Sequence, residues 1–390
     1  MASPPATTPE VTDDLPDAIS QEALFDVGPG EDAGVLSLAE RFIFPPFSVL
    51  DARQGAWQER KRNWIGLGLK SEDGRSARML AKSVNDELVV DPDTGEEYYK
   101  GAPPGSVNAK ILALSNGQSI FDPVLCEMAY RWFCPPDGRV LDPYAGGSVR
   151  GLVAAVTGRY YTGIDLSQDQ IDANELQAEG FAEGNRFDVA YWPEWVRADS
   201  WQALDWQYAD ETPVDHGPYD FIWSCPPYHD LEEYSDDPDD LSNMDWDEFA
   251  RRYRETIAGA VDRLAEDRFA AFVIGEIRDP GGPGYYRNFM GLTIDAFEAA
   301  GAAYYNELIL VTSVGTLPLR TAKQFLVSRK IGKTHQTVLV FVKGNPRRAA
   351  EACREKGALE ASLKAAGRTV EQVDDAEDVE GEDDLTELGR

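Results

Sequence analysis

Between Pro123 and Lys343, short runs of apolar, β-branched or aromatic residues alternate with stretches of helical periodicity. A strand covered on both faces reads as a continuous apolar run, and it needs a crossover helix to reach the next parallel strand, so this alternation predicts βαβ units around a mostly parallel sheet. Strands are expected near 139–142, 160–165, 195–198, 219–223, 269–275, 304–312 and 337–343. Seven strands fit one doubly wound α/β domain. The last two leave little room for a full helix between them, so they should pair antiparallel across a long connection, Ser313 to Gln336.

Outside this region the pattern changes. The first 35 or so residues are rich in Pro, Thr and acids with no hydrophobic period, and the last 20 are acidic, so both ends are expected to be disordered. The expected organisation is a disordered acidic tail (1–37), an N-terminal extension (38–110), a main α/β domain (111–348), and a helix followed by an acidic tail (349–390). The extension holds an aromatic and proline cluster (Phe42, Phe44, Pro45, Pro46, Phe47). A basic segment flanked by Trp57 and Trp64 follows it; both tryptophans are expected to be core or interface aromatics.

Composition narrows the class. A chain of 390 residues with 43% hydrophobic residues can bury a real core. No basic, apolar leader and no run of about 18 apolar residues is present, so neither a secretory signal nor a membrane span is expected, and the cytoplasm is the default. Cys126, Cys134, Cys225 and Cys353 show no ligand spacing, and His216, His229 and His335 are far apart, so no metal site is expected.

The net charge of -32 argues at first against a nucleic-acid partner. Its distribution weakens the objection. Residues 1–40 hold nine acids and no Lys or Arg, and residues 371–390 hold ten acids against Arg390, which leaves -14 for the middle. Within the middle, Arg320 to Arg348 carries eight basic residues and no acid. The overall excess is otherwise what solubility or a salty interior would produce.

Candidate chemistry sits at the strand ends. After the first expected strand of the domain comes Asp142-Pro143-Tyr144-Ala145-Gly146-Gly147-Ser148, then a helix-like stretch. Such a loop brings backbone N–H groups and a helix N-terminus to a polar ligand, and its glycines let the main chain approach closely. GxGxxG is not matched, which lowers the odds of a dehydrogenase. The second strand ends in Asp165, placed to accept from two ribose hydroxyls, and the third runs into Asp199-Ser200, where the acid could accept from an adenine amino group. One strand-terminal Asp is commonly a cap or turn residue; three at successive strand ends are far more specific.

The fourth strand runs into Ser224-Cys225-Pro226-Pro227-Tyr228. Two prolines fix a rigid extended turn, so the Pro226 carbonyl can accept from an amine while Tyr228 offers a π face. An amino group conjugated to a base is a poor nucleophile, because its lone pair is delocalised. Acceptors aimed at its hydrogens favour the geometry that frees the pair.

These motifs resemble the amino-group class of DNA methyltransferases, whose signatures read Asp-Pro-Phe-x-Gly-x-Gly and Asp/Asn/Ser-Pro-Pro-Tyr. The core of the resemblance is Phe121 to Lys343. It implies a Rossmann-like seven-stranded sheet, mostly parallel with an antiparallel last strand and helices on both faces. The implied cofactor is S-adenosyl-L-methionine, and the implied reaction is methyl transfer to the exocyclic nitrogen of adenine or cytosine in DNA. Carried over by position, Phe121 and Asp122 would contact the methionine carboxylate, and Asp142, Pro143, Tyr144, Ala145, Gly146 and Gly147 the methionine moiety. Asp165 with Leu166 would hold the ribose, Asp199 with Ser200 the adenine, and Cys225, Pro226, Pro227 and Tyr228 the flipped target base. The segments 47–55 and 332–341 resemble phage or prophage-encoded methylases, extending the similarity to residues 40–348, and such enzymes belong with restriction-modification.

Two departures stand out. The loop reads Gly-Gly-Ser where the family has Gly-Ser-Gly, and Cys225 stands where Asp, Asn or Ser is usual. A thiol is a weak acceptor, so the amine would depend on the Pro226 carbonyl. Covalent attack by Cys225 for carbon-5 methylation goes with a different motif order.

A paired base is out of reach, so the target must be flipped or single-stranded. Arg320, Lys323, Arg329, Lys330 and Lys333, with Arg60, Lys61 and Arg62, are expected to grip phosphates. An acidic loop after Tyr228 (Asp230, Glu232, Glu233, Asp236, Asp237, Asp239, Asp240) crowds the expected mouth. His229 and His335 read as incidental or packing residues. The competing readings are an RNA or protein-amide methyltransferase with the same turn, and a catalytically silent nucleic-acid-binding protein of this fold.

Overall fold

The computed structural model describes residues 42–70, 88–90, 97–99, 121–205, 207, 214–229, 239–279, 284–315 and 317–354. The expected tails lie outside these, apart from the start of 349–390. Phe47–Glu355 forms one compact unit.

In chain order the elements are β1 (Val49–Asp51), α1 (Gly55–Gly66), β2 (Leu88–Val90), β3 (Glu97–Tyr99), α2 (Pro123–Phe133), β4 (Arg139–Asp142) and α3 (Val149–Val156). Then come β5 (Tyr160–Asp165), α4 (Gln168–Glu183), β6 (Glu194–Arg197), α5 (Ser200–Leu204), β7 (Tyr219–Ser224) and α6 (Trp246–Arg263). The chain continues through β8 (Leu264–Ile274), α7 (Phe289–Ala299), β9 (Ala302–Val311), α8 (Leu317–Ser328), β10 (His335–Lys343) and α9 (Pro346–Ala352).

The main sheet runs β1-β9-β10-β8-β7-β4-β5-β6. Only β10 runs against its neighbours, β8 and β9; the other pairs are parallel. The Rossmann-like class and the antiparallel last strand are as expected. The strand count is corrected from seven to eight, because Val49–Asp51 adds a parallel edge strand, with Leu50 opposite Leu310. Three residues with no alternation around them carry too little pattern to read as a strand. A second correction concerns Ser313 to Gln336, which does hold a helix, α8.

Period-2 alternation along β7 sends its side chains to two layers. Phe221 and Trp223 meet Tyr130 of α2 and Phe121, whereas Ile222 joins the core built with Phe249, Tyr253 and Phe289 of α6 and α7. Phe297 of α7 stacks on Phe341 of β10 at 3.9 Å between centroids. The central strands are therefore held rigidly from both sides.

Connectivity reverses at β4. From it the chain proceeds outward through β5 and β6, then returns to the other side of β4 as β7 and β8. Open α/β sheets bind ligands in the crevice outside the carboxyl ends of their strands at such a switch point. The carboxyl ends of β4, β5, β6, β7 and β8 share one edge, and because β10 is antiparallel, the connection from β9 to β10 lies on that edge too.

Helix α1 docks on α2 by one face. Trp57, Arg60, Lys61 and Trp64 recur at i, i+3, i+4 and i+7, which places them side by side. Arg60 forks onto Glu127 at 2.6 and 2.7 Å, and the Trp64 indole donates to the same carboxylate at 3.0 Å. Lys61 pairs with Asp122 at 3.0 Å, where Trp57 also donates at 3.3 Å.

Candidate active site

Each acid at the carboxyl edge has distinct surroundings. Asp142, the last residue of β4, is fully buried. It accepts from Arg150 at 2.5 Å, from the Tyr161 hydroxyl at 2.7 Å, from Ser224 at 2.6 Å and from the Tyr144 amide at 3.2 Å. It ties the end of β4 to the end of β7 and, through Tyr161, to the start of β5. Arg150, the second residue of α3, also donates to the Tyr144 and Ala145 carbonyls at 2.5 and 2.7 Å, so the glycine loop is clamped by its own helix. Its guanidinium lies 4.6 Å from the centre of the Phe121 ring.

The loop is held from above by its neighbours. The Ala145 amide donates to Ile164, Asn174 donates to the Gly146 carbonyl at 2.8 Å, and the Ser200 hydroxyl donates to the Pro143 carbonyl. Gly146 sits at φ 51°, in the left-handed region. Its amide donates to Asp165 at 2.8 Å, and the place of a β-carbon there faces open space. Gly147 is buried beside it, and Leu166 is half-buried.

Asp165 is half-buried and also accepts from the Ser167 amide at 2.8 Å. Burial pushes its carboxyl above the ordinary value, while the Ser167 and Gly146 amides pull the other way. Asp199 caps α5 through the Trp201 amide and pairs with Arg252 of α6 at 3.3 Å. Asp122 caps α2, so its carboxylate is shared among helix amides, Lys61 and Trp57.

Ser224 is fully buried, Pro226 buried, and Cys225, Pro227 and Tyr228 half-buried. The Tyr228 ring meets Phe289 edge-on at 6.2 Å, and its hydroxyl lies 3.5 Å from the Val273 carbonyl and 3.8 Å from Cys225 Sγ. A β-carbon on Gly275 would stand 3.2 Å from Tyr228 Cε1, so the glycine makes room for the ring. His229 is buried at φ 49°, its Nε2 3.0 Å from the Met244 carbonyl, with Trp246 and Phe249 edge-on to its ring. It packs against the turn; His335 is half-buried and opens β10 opposite Val311 of β9.

The basic residues divide. Arg60 and Lys61 are engaged by α2, and Arg62 is exposed. Lys323 and Arg329 are exposed on the β9–β10 connection, Lys330 and Lys333 are half-buried, and the side chain of Arg320 is outside the described residues. Burial pushes the Lys333 ammonium below its ordinary value, with Glu276 opposing. Of the acidic loop, Asp239 pairs with Arg252 at 3.0 Å and Asp240 caps a 3-10 turn; Asp230, Glu232, Glu233, Asp236 and Asp237 lie outside the described residues. Sequence reasoning missed Arg150, Tyr161 and Gly275. Ser224 was missed too, although its adjacency to the turn was a signal for its role; Arg150 is explained by its bonds to Asp142 and the loop carbonyls, and Tyr161 and Gly275 only when β5 and β8 are in place.

Among the described residues, no group of three or more His, Cys, Asp or Glu could hold a metal ion, and no helix is long and apolar enough to cross a membrane.

No family model matches the chain, and no curated protein does. Solved structures do resemble it. TrmN from Thermus thermophilus is 17% identical at a TM-score of 0.35, over 57% of this chain and 49% of TrmN, so the likeness spans about half of that protein. A TehB-like SAM-dependent methyltransferase from Corynebacterium glutamicum is 17% identical at a TM-score of 0.33, over 60% of this chain and 94% of its own. Magnesium protoporphyrin IX methyltransferase from Synechocystis, with bound SAM, is 10% identical at a TM-score of 0.34, over 61% of this chain and 92% of its own. These likenesses are distant and say nothing of this chain's substrate.

Proposed function

We propose that the chain transfers a methyl group from S-adenosyl-L-methionine to an exocyclic amino nitrogen of adenine or cytosine in DNA. The observation that carries the reading is the Ser224–Asp142 hydrogen bond of 2.6 Å, which sets the Pro-Pro-Tyr turn beside the glycine loop at the switch point of the sheet. A nucleoside cofactor fits the residues present. Asp165 is a half-buried acceptor for ribose hydroxyls, Asp199 is an acceptor one strand further on, and the open side of Gly146 admits the polar end of a ligand. Phe121, Asp122, Asp142, Pro143, Tyr144, Ala145, Gly147, Leu166 and Ser200 complete that wall; Asp142, already saturated, acts by holding the loop rather than by meeting ligand.

When bound, the cofactor supplies an electrophilic methyl on a sulfonium. The chain's own residues prepare the acceptor. Tyr228 stacks a base drawn out of its helix, and Pro226 accepts an amino hydrogen through its carbonyl, which turns the nitrogen lone pair toward the loop. Cys225 adds little as an acceptor. Because Asp142 and Ser224 are locked, the two halves keep their spacing without reorganisation. Lys323, Arg329, Lys330 and Lys333, on the same edge, support a polyanionic substrate. Arg60 and Lys61 serve helix docking instead, which leaves Arg62 from that segment.

The test is incubation with cofactor tritiated on its methyl group and, separately, plasmid DNA, tRNA or protein, followed by nucleoside mass spectrometry. Label in N6-methyladenine or N4-methylcytosine of the plasmid is expected. Label confined to tRNA or protein refutes the DNA assignment, and no transfer with intact cofactor binding favours a silent binding protein. Tyr228→Ala should abolish turnover while cofactor affinity stays near wild type.

A further inference from the structure

Past the turn, β8 leads into a short hairpin that no expected motif covers. The Arg287 amide donates to the Ile277 carbonyl at 2.9 Å and the Asp279 amide to the Tyr285 carbonyl at 3.0 Å, with Arg278 and Tyr286 as bridge partners. Tyr285 is 73% exposed and Tyr286 49%. The Arg278 guanidinium lies 4.0 Å from the Tyr286 ring centre and donates to the Gly284 carbonyl at 2.9 Å. Lys330, arriving from the β9–β10 connection, lays its ammonium against Gly284 in the space a β-carbon there would need.

The hairpin is rooted in the packing that seats the catalytic turn. Arg287 lies 4.8 Å from the Trp246 ring centre and pairs with Asp279 at 3.0 Å, and Trp246 is edge-on to His229, the residue after Tyr228. Pairing with Arg287 offsets the Asp279 charge, and Glu276 at the root of the hairpin is turned to the Phe289 and Met290 amides, so the cations beside the tyrosines are Arg278 and Lys330. A chain of net charge -32 thus presents cations and two exposed aromatic rings together on its ligand-binding edge. Tyr285 gains little from burial, so core packing does not account for a ring there. Rings beside cations are the usual means of holding unpaired bases and their phosphates.

We infer that this hairpin is a stacking platform for a nucleotide flanking the target base, with Tyr285 against the base and Arg278 and Lys330 toward the phosphates. The inference rests on the nucleic-acid reading above and deepens it. Drawing one base from a stack strips its neighbour of a partner, and an aromatic face at the mouth replaces what was lost.

Fluorescence anisotropy of a labelled single-stranded DNA oligonucleotide on the full chain tests it, alongside calorimetric cofactor binding and KM for DNA. Tyr285→Ala should weaken oligonucleotide binding roughly five- to hundredfold, the range for one lost base stack. The loss should appear in KM for DNA and leave cofactor affinity unmoved. Tyr285→Phe should bind like wild type, and Lys330→Ala should lower the salt slope of binding by about one. Wild-type affinity in Tyr285→Ala, or equal losses in the Ala and Phe variants, overturns the platform alone. A wild-type chain that binds no DNA and transfers no methyl to it overturns the proposed function, and the platform with it.

Discussion

The Ser224 hydroxyl donates to Asp142 Oδ1 at 2.6 Å, joining the last residue of β7 to the last residue of β4. Oδ1 thus takes both the Ser224 hydroxyl that leads into the Pro-Pro-Tyr turn and the Tyr144 amide of the glycine loop, while Oδ2 takes Arg150 and Tyr161. The spacing between the two halves of the proposed reaction is set by a buried, saturated network rather than by loop contacts.

Ser224→Ala should therefore cost more than a surface hydroxyl. Leaving part of a buried carboxylate unsatisfied costs about 1–3 kcal/mol, and denaturant unfolding should show it. Turnover should fall while cofactor affinity is largely kept, because the loop remains clamped by Arg150. Asp142→Ala strands the Arg150 guanidinium and should cost about 3–5 kcal/mol. A Ser224→Ala variant with wild-type stability and turnover refutes the coupling.

Asp165 gives a pH-dependent prediction. Burial raises its folded carboxyl above the ordinary value of 3.8. Hydroxyls of a ribose need the ionised form as acceptor, so cofactor affinity should decline as pH falls, beginning above the ordinary Asp range. Asp165→Ala should lose about 1–3 kcal/mol of cofactor binding. Isothermal titration from pH 7 to pH 4 checks both, and a flat profile counts against the ribose assignment.

How far the sequence disclosed this molecule depends on the scale of the pattern. Strands such as Tyr160–Asp165 and Tyr219–Ser224 were legible because doubly buried strands spell their apolar runs openly. The acids at strand tips were legible for the same reason, since a tip is fixed once its strand is. What stayed hidden was pairing across the sheet. The basic run of α1 looked like a phosphate grip, yet its i, i+3, i+4, i+7 spacing with two tryptophans marked a docking face whose acidic partners lie some 60 residues away on α2. Gly275 read only as the end of an expected strand, and the position of Tyr228 gives it a purpose.

The α1–α2 interface should be acid-labile. Burial alone would raise the Glu127 carboxyl, but Arg60, the Trp64 indole and Arg131 outweigh it and hold it below its ordinary value of 4.5. The unfolded chain then binds the extra proton, so this stabilisation is complete above about pH 4.5 and disappears as pH falls through the lower folded value. Glu127→Gln should remove that dependence and cost about 1 kcal/mol, near the low end for a charged hydrogen bond, because Arg60 is 38% exposed. Unfolding midpoints of the two proteins should converge toward pH 3, and parallel curves refute the assignment.

Gly275→Ala tests whether the Tyr228 ring must lie where it does. The added methyl would stand 3.2 Å from Cε1, tighter than ordinary contact, so the ring must yield by a few tenths of an ångström. Phe289 sits edge-on to the ring, so the shift falls on a ring whose position the proposed stacking depends on. Overpacking of this kind costs about 1–3 kcal/mol when a core cannot relax, but a half-buried ring can move, so the stability loss should fall at or below the low end. The larger effect should be on turnover, since misplacement by a fraction of an ångström spoils a stacked geometry. Turnover should drop about tenfold or more while cofactor affinity holds. Tyr228→Phe separates ring from hydroxyl: it keeps the stacking face and loses only the contacts to Val273 and Cys225, so it should retain most activity. A Gly275→Ala enzyme as fast as wild type would show that the base does not rest on this ring.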